Sequence, residues 1–546
     1  MLKPEMYKEL EDLLGPENVT QEPSVLDSYA WQPLWNVSGD SWTTRAEAAV
    51  LPGSAEECRQ IVRICNAYGV RFKAICTGWG STGACSENTI QIDLRRMDRI
   101  LEIDEKNLYA VIEPHVCGNQ LQAELMKRGL NCHIISAGAA SSPLASATSM
   151  MGCAPDGTAY GWSSRNLLGV EWIQPNGEMI QVGSPGSGLG WWTAEGPGPG
   201  LRGIFRGRFG GMGGNGVFTK CAVKIYHYPG PPKPELDGFL LDTAHPIPKN
   251  CRMIMQVFKD RDSMARATGA IAEEGIGQQA MKAGNGSALC IMLPNMVRSK
   301  AWKTSTALKE VVSAFNLSFF WFLICNSEEE LDFQESVMRH EVQEVGGMQF
   351  DMGNGPMAQI YFWTMVVNSI YPYAMRGGGM MITGYAQDDS HYAACDASAD
   401  TVAIKKKWIA KGACLDDNGD GTCHFFCEEN LQSHCEEPWL YDQRVKEQIH
   451  MVEPMERDFT AMFLERCQEP SGVILPPARK LFSAMEANFN QYPRAMMERI
   501  DPNRVADAYI YCEEADPSTT RMEPEAQAKI AKLVTERAWS GRPEPL

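Results

Sequence analysis

Apolar and polar residues alternate with a period of two along Thr89-Ile90-Gln91-Ile92-Asp93-Leu94, which predicts a strand. Val70-Arg71-Phe72-Lys73-Ala74-Ile75 is extended in character too. Between the two runs lies Cys76-Thr77-Gly78-Trp79-Gly80-Ser81-Thr82-Gly83, so this stretch reads strand, glycine-rich turn, strand. Upstream, Pro4–Leu14 is an acidic amphipathic helix closed by Gly15-Pro16, and a second short helix ends near Trp31. Residues 48–52 form a strand, after which Ser54 and Glu57 make a capping box for a helix through Cys65. Residues 119–129 are another amphipathic helix. Past the proline-rich stretch 228–234, residues 262–274 and 300–315 read as helices, 319–325 as a buried strand and 358–367 as a further strand. Residues 523–539 read as a helix before a charged, proline-rich end. The pattern is α+β.

The turn at 76–83 carries chemistry. Glycine tolerates positive φ and lets a ligand approach the backbone, and successive peptide N–H groups then converge on an anion. Thr77, Ser81 and Thr82 add hydroxyl donors, so the turn is a cradle suited to a pyrophosphate. A plain glycine-rich hairpin loop fits the same residues. A Walker A loop is excluded for want of its Gly-Lys-Ser/Thr end, and no Gly-x-Gly-x-x-Gly opens a helix here.

With 546 residues the chain is long enough for two or three domains. Its net charge of −18 argues against a polyanionic partner such as nucleic acid, because no Lys/Arg stripe offsets it. The longest aromatic-aliphatic run, 319–325, is too short to span a bilayer, and residues 1–7 lack the apolar core of a signal peptide. The cytoplasm is the expected compartment. The 18 cysteines contain no Cys-x-x-Cys, and the spacing of Cys414, Cys423, Cys427 and Cys435 fits neither ferredoxin nor zinc-ribbon patterns. They read as buried small apolar residues in a reducing compartment.

The segment 91–104, followed by Ala110-Val111-Ile112-Glu113-Pro114-His115-Val116, resembles the PCMH-type FAD-binding domain of the vanillyl-alcohol oxidase family, in its glycolate-oxidase and D-lactate-dehydrogenase branch. Two later stretches are similar to the same family. One runs from Ser141 to Pro155 and ends in Tyr160-Gly161, where small residues, Ala145 and Ser146, stand in place of the family's paired glycines. The other, 198–220, ends in Gly216-Val217-Phe218-Thr219, and the hairpin around Asn176-Gly177 fits between them. The resemblance implies an α+β fold: a two-subdomain FAD-binding domain at 1–230, an α+β cap with the substrate pocket at 231–480, and a segment at 481–546 that returns to the FAD domain and ends in a tail. It implies that Cys76, Thr77, Gly78, Trp79, Gly80, Ser81, Thr82, Ala145, Ser146, Met151, Gly152, Tyr160, Gly216 and Val217 lie at the cofactor. The FAD is expected to be noncovalent, since the turn lacks a histidine and Cys153 is the one thiol near the second stretch.

The segment Asp416-Asp417-Asn418-Gly419-Asp420-Gly421-Thr422-Cys423-His424 has three readings. It is a hairpin turn, a calcium loop whose twelfth position is Cys427 instead of a carboxylate, or, by resemblance to D-lactate and 2-hydroxyglutarate dehydrogenases, a divalent metal site using Asp417 and His424. For the catalytic base, a histidine titrating near neutrality is the natural choice. His434 and His424 lead, and His391 follows. The resemblance implies an oxidoreductase that transfers hydride from an alcohol or hydroxy acid to flavin. Its electrons would leave through an iron–sulfur or electron-transfer flavoprotein partner, in a homo-oligomer or larger complex. A non-redox flavoenzyme of the alkyl-glycerone-phosphate synthase type and an electron-relay subunit stay open beside it.

Overall fold

The computed structural model describes residues 2–30, 44–78, 85–135, 139–149, 152–182, 214–232, 245–282, 305–367, 380–417, 423–428, 432–442, 445–466 and 491–507. The first sheet contains β1 (Val19–Thr20), β2 (Ala48–Val50), β3 (Arg71–Ile75) and β4 (Thr89–Asp93), in the order β1-β2-β4-β3. The predicted alternating run is β4, the sheet's centre, parallel to both β2 and β3. Parallel neighbours need a crossover, and α3 (Ala55–Tyr68) supplies it after α1 (Pro4–Leu14) and α2 (Pro23–Ala30). Ser54 Oγ accepts from Glu57 N at 3.2 Å, and Glu57 reaches back one residue further than a standard capping box, accepting from Gly53 N at 2.6 Å. Gly69, at φ +64°, ends the helix. Met6 and Leu10 of α1 and Ile61 and Val62 of α3 join Ile90 and Ile92 in one core.

A second, antiparallel sheet runs β5-β6-β10-β8-β9, built from β5 (Ile100–Asp104), β6 (Tyr109–Ile112), β8 (Leu167–Ile173), β9 (Met179–Val182) and β10 (Val217–Lys224). The Asn176-Gly177 turn joins β8 to β9, with Gly177 at φ +82°. A small pair, β7 (Leu130–Asn131) with β11 (Tyr226–His227), follows α4 (Gly118–Met126).

The third sheet, β13-β14-β12-β15, is antiparallel: β12 (Cys251–Val257), β13 (Gln279–Met281), β14 (Ser318–Ile324) and β15 (Met348–Asp351). Every residue of β14 is buried, as its unbroken apolar run predicts, because both faces are covered. α7 (Arg261–Glu273) and α9 (Glu328–Glu344) pack on one side. On the other lies α10 (Pro356–Val366), the stretch the sequence predicts as a strand. The run from Ala358 to Val366 is buried on nearly every side, so it carries no helical period to read. Gly355 before it and Pro356 at the first helical position are the start signal that the apolar run masked.

β16 (Met380–Asp389), β17 (Cys423–Glu428) and β18 (Gln432–Tyr441) form a fourth sheet in the order β16-β18-β17. α11 (His391–Ala410) and α12 (Lys446–Arg466) cover its back. After α13 (Gln491–Ile500) the chain returns to the first sheet, where Ala506 pairs with Phe72 in parallel beside β3. The predicted helix at 300–315 is present as α8 (Thr306–Ser313), with 300–304 outside the described residues, as is the expected helix at 523–539. No helix among the described residues is long and apolar enough to cross a membrane.

Candidate functional site

Between the first two sheets lies a solvent-open cleft of about 580 Å³. Phe72 to Cys76 reach it from β3 and its exit, and Leu144, Ala145 and Ser149 from α5 (Pro143–Thr148) and its C-terminal end. Gly214, Gly216 and Phe218 come from the start of β10, and Ala506 and Asp507 from the returning segment. All three stretches singled out by the sequence therefore meet at one space, together with the return strand. A buried clamp holds that strand. Asp507 accepts from Ser86 N and Ser86 Oγ, both at 2.8 Å, and its carbonyl accepts from Lys73 Nζ at 3.2 Å, across 434 positions of sequence. Lys73 is a buried cation on the cleft wall.

The expected cofactor residues fall into groups. Cys76, Ala145 and Gly216 line the cleft. Thr77 Oγ1 accepts from Ser142 N at 3.0 Å and ties the first stretch to the second. Gly78 sits at φ +71° with only the Ile75 side chain near the position of a Cβ. Val217 is buried in the core beneath β10. Gly216 has φ +109°, and a Cβ there would lie 2.2 Å from the Ile173 carbonyl oxygen. Gly216→Ala is therefore expected to cost on the order of 1–3 kcal/mol, read as a lowered melting temperature.

Other expected residues serve packing in this structure. A Cβ on Gly152 would meet Ser163 Oγ at 2.0 Å and Ser146 Cβ at 2.9 Å, so this glycine lets protein, not ligand, come close. Tyr160 stacks on Tyr226 with ring centroids 4.2 Å apart, and burial pushes its phenol well up. Ser146 lines a second recess with His133. Trp79, Gly80, Ser81, Thr82 and Met151 lie outside the described residues. His133 and Asp156 were not legible in the sequence. Their side chains meet at 2.7 Å, fully buried, while Asp156 also accepts from Ile134 N and His133 reaches the Gly152 carbonyl. They lie 23 residues apart with no motif joining them, so nothing in the sequence marked the pair.

The fourth sheet divides the two leading catalytic histidines. Strand alternation puts His434 and its cross-strand partner Phe425 on the front, with ring centroids 5.0 Å apart. This face shares an apolar core with Cys153, Trp162 and Tyr228 from the first half of the chain. Here Cys427, then burial, push the Cys153 thiol well up. His434 Nε2 lies 3.2 Å from Glu436 Oε2. His424 points to the back, where its Nδ1 lies 3.5 Å from Cys395 Sγ and its ring 4.9 Å from that of His391. Burial, then the charges of its neighbours, hold His424 well below the usual histidine range, and burial brings His391 down to about 3.

Asp417 is also buried, and its carboxylate is bound by the Lys405 ammonium, which donates a second bond to Glu437 at 2.7 Å. The structure thus joins Asp417 to Lys405, and His424 to Cys395 and His391. Asn418, Gly419, Asp420, Gly421 and Thr422 lie outside the described residues. The chain arrives at 417 from the end of α11, and β17 pairs with the strand that follows it. The expected hairpin about Asn418-Gly419 thus has no described strand on its upstream side. Among the described residues, all but Cys76, Cys117 and Cys423 of the free cysteines are buried, in keeping with their apolar reading.

Residues 46–183 match the model of the FAD binding domain family. Over 174 residues, 30% of this chain and 31% of the relative, the sequence is 33% identical to 1'-carboxy-chondrochloren decarboxylase of Chondromyces crocatus. It is 28% identical over 202 residues, 35% of this chain and 38% of the other, to the 4-cresol dehydrogenase [hydroxylating] flavoprotein subunit of Pseudomonas putida. The matches thus span 31% and 38% of these relatives' lengths. The fold is similar to that of p-cresol methylhydroxylase with substrate bound, at a TM-score of 0.70 and 16% identity over 93% of this chain and 96% of that one.

Proposed function

We propose that this chain, which matches the FAD binding domain family over 46–183, is an FAD-linked oxidoreductase of the PCMH type that oxidises a small organic alcohol or hydroxy acid. One observation carries the reading: three short stretches and a distant return strand converge on a single cleft built for close backbone approach. The residues present fit the group. Gly78 at φ +71° lets the chain turn after β3, Gly216 lets the start of β10 pack against the Ile173 carbonyl beside the cleft, and buried Lys73 on the cleft wall would supply counter-charge for a pyrophosphate. FAD brings the hydride acceptor. The chain's residues bind it, shield it, and move the hydroxyl proton.

For that proton the best-placed group is His434, on the face that meets the first half of the chain, with Glu436 holding its ring. We assign the FAD half to 1–230, the substrate half to 231–480, and the return segment to 481–546. Electrons then pass to a separate iron–sulfur or flavoprotein acceptor, a reading supported by the relative named as a flavoprotein subunit. The test is anaerobic addition of hydroxy acids and alcohols, one by one, to the purified yellow holoprotein. Bleaching of the visible flavin band by one class, without added acceptor, is the expected result. Turnover of a substrate with no bleaching at any stage means a non-redox flavoenzyme and defeats the proposal.

The cofactor is expected to be held without a covalent bond. Attack on flavin needs a thiolate, yet desolvation pushes Cys76 up to about 11, and Cys153 is also raised. Acid precipitation of the holoprotein should leave the flavin colour in the supernatant. Colour that stays with the pellet contradicts this.

A further inference from the structure

Behind the fourth sheet, on the side away from His434, three buried side chains converge without serving the proposed reaction. His391 and Cys395 stand one turn apart at the start of α11, and His424 faces them from β17. Cys395 Sγ lies 3.5 Å from His424 Nδ1 and 3.9 Å from His391 Nε2, and one ligand atom of each residue lies within 4.8 Å of the others. Nitrogens and a sulfur bound to one metal at about 2.0 and about 2.3 Å stand roughly 3.5–3.8 Å apart, so the spacing already approximates a ligand set.

We propose that His391, Cys395 and His424 form a binding site for one copper(I) ion in the core of the cap. The chemistry of the donors selects the ion. Two imidazoles with one soft thiolate are a donor set suited to copper, and no carboxylate belongs to the group. The site is buried, and buried Lys282 lies beside it, its backbone paired with that of His424 in both directions. One thiolate with a divalent ion would add a net positive charge beside that lysine. With a univalent ion the pair is neutral, which is the cheaper arrangement in a low-dielectric core.

The surroundings accept the ion with small adjustments. Ser433 Oγ lies 3.0 Å from His391 Nδ1 and becomes the acceptor that fixes the ring while Nε2 binds metal. Thr268 Oγ1, now 2.8 Å from Nε2, keeps its bond to the Met264 carbonyl at 2.7 Å. On binding, the Cys395 thiol gives up its proton to solvent and a sulfur–copper bond forms with no change of oxidation state. Because the site is sealed, the ion enters during folding.

Full-length holoprotein is produced in cells supplied with copper, purified anaerobically in the presence of a copper(I) chelator, and compared with Cys395→Ser and His391→Gln. The expected result is one copper per chain in the wild type and none in either variant, with FAD content unchanged. X-ray absorption of the wild type should give one sulfur and two nitrogen neighbours. Copper that is absent, that persists in both variants, or that shows only sulfur neighbours overturns the proposal. So does zinc in the same stoichiometry, since it defeats the charge argument. If the variants fold poorly, the wild-type absorption spectrum alone decides.

Discussion

Replacing His434 by glutamine is expected to lower kcat by ~10²–10⁴-fold while leaving the flavin spectrum that of the wild type. Glutamine fills much of the same space and still hydrogen-bonds, but it cannot take a proton. The flavin cleft is lined by other residues, so its occupancy has no reason to change. His424→Gln separates the two histidines: it should lower the melting temperature yet keep turnover per bound flavin, because that ring is locked behind the sheet against Cys395 and His391. Glu436→Gln should fall between, with a smaller loss in kcat and an unchanged KM, since Glu436 holds the base without itself taking the proton. Stopped-flow reduction of the flavin by the substrate measures all three. A His434 variant that reduces its flavin at the wild-type rate removes this residue from the mechanism.

The first half of the fold was legible because its signals are local. The alternation at 89–94 became the central strand β4, Ser54 and Gly69 bound α3, and Asn176-Gly177 turned β8 into β9. The cleft was legible for a second reason: the close approach of backbone needs small residues, and small residues leave a mark in sequence, as at Gly216. What could not be read is whatever depends on which strands become neighbours. Asp507 meets Ser86 and Lys73 through the return of the chain, and Lys405 meets Glu437 through the packing of α11 on β18. Neighbours in sequence need not share a partner. Asp417 and His424 are close in sequence, but each is claimed by a different partner on α11, Lys405 for one and Cys395 for the other. The strand expected at 358–367 failed differently, because a segment buried on all sides has no period that tells helix from strand.

Replacing Lys405 by methionine is expected to destabilise the protein by ~3–5 kcal/mol, the largest loss foreseen for a single side chain here. Lys405, Asp417 and Glu437 are all buried, and removing the cation leaves two carboxylates without their shared ion-pair partner in a dry interior. Burial by itself pushes Lys405 down, but Asp417 and Glu437 together outweigh it and hold the ammonium well above the usual lysine range. A raised folded-state value means the contribution is complete below the unfolded lysine value of about 10.4 and is lost only as pH climbs through the folded one. The gap in unfolding free energy between wild type and Lys405→Met, from denaturant titrations, should therefore shrink beyond about pH 10 as the wild-type ammonium titrates, and shrink also towards acid pH as the carboxylates left buried in the variant take up protons. A gap that stays constant from about pH 5 to beyond about pH 11 would refute the ion-pair account. Asp417→Asn adds the decisive contrast. It leaves Lys405 one full carboxylate in Glu437, so its cost should be well below that of Lys405→Met, and the copper held by His391, Cys395 and His424 should be unchanged. Loss of that copper in Asp417→Asn would instead favour Asp417 as a ligand alongside His424, the pair implied by the resemblance to D-lactate and 2-hydroxyglutarate dehydrogenases.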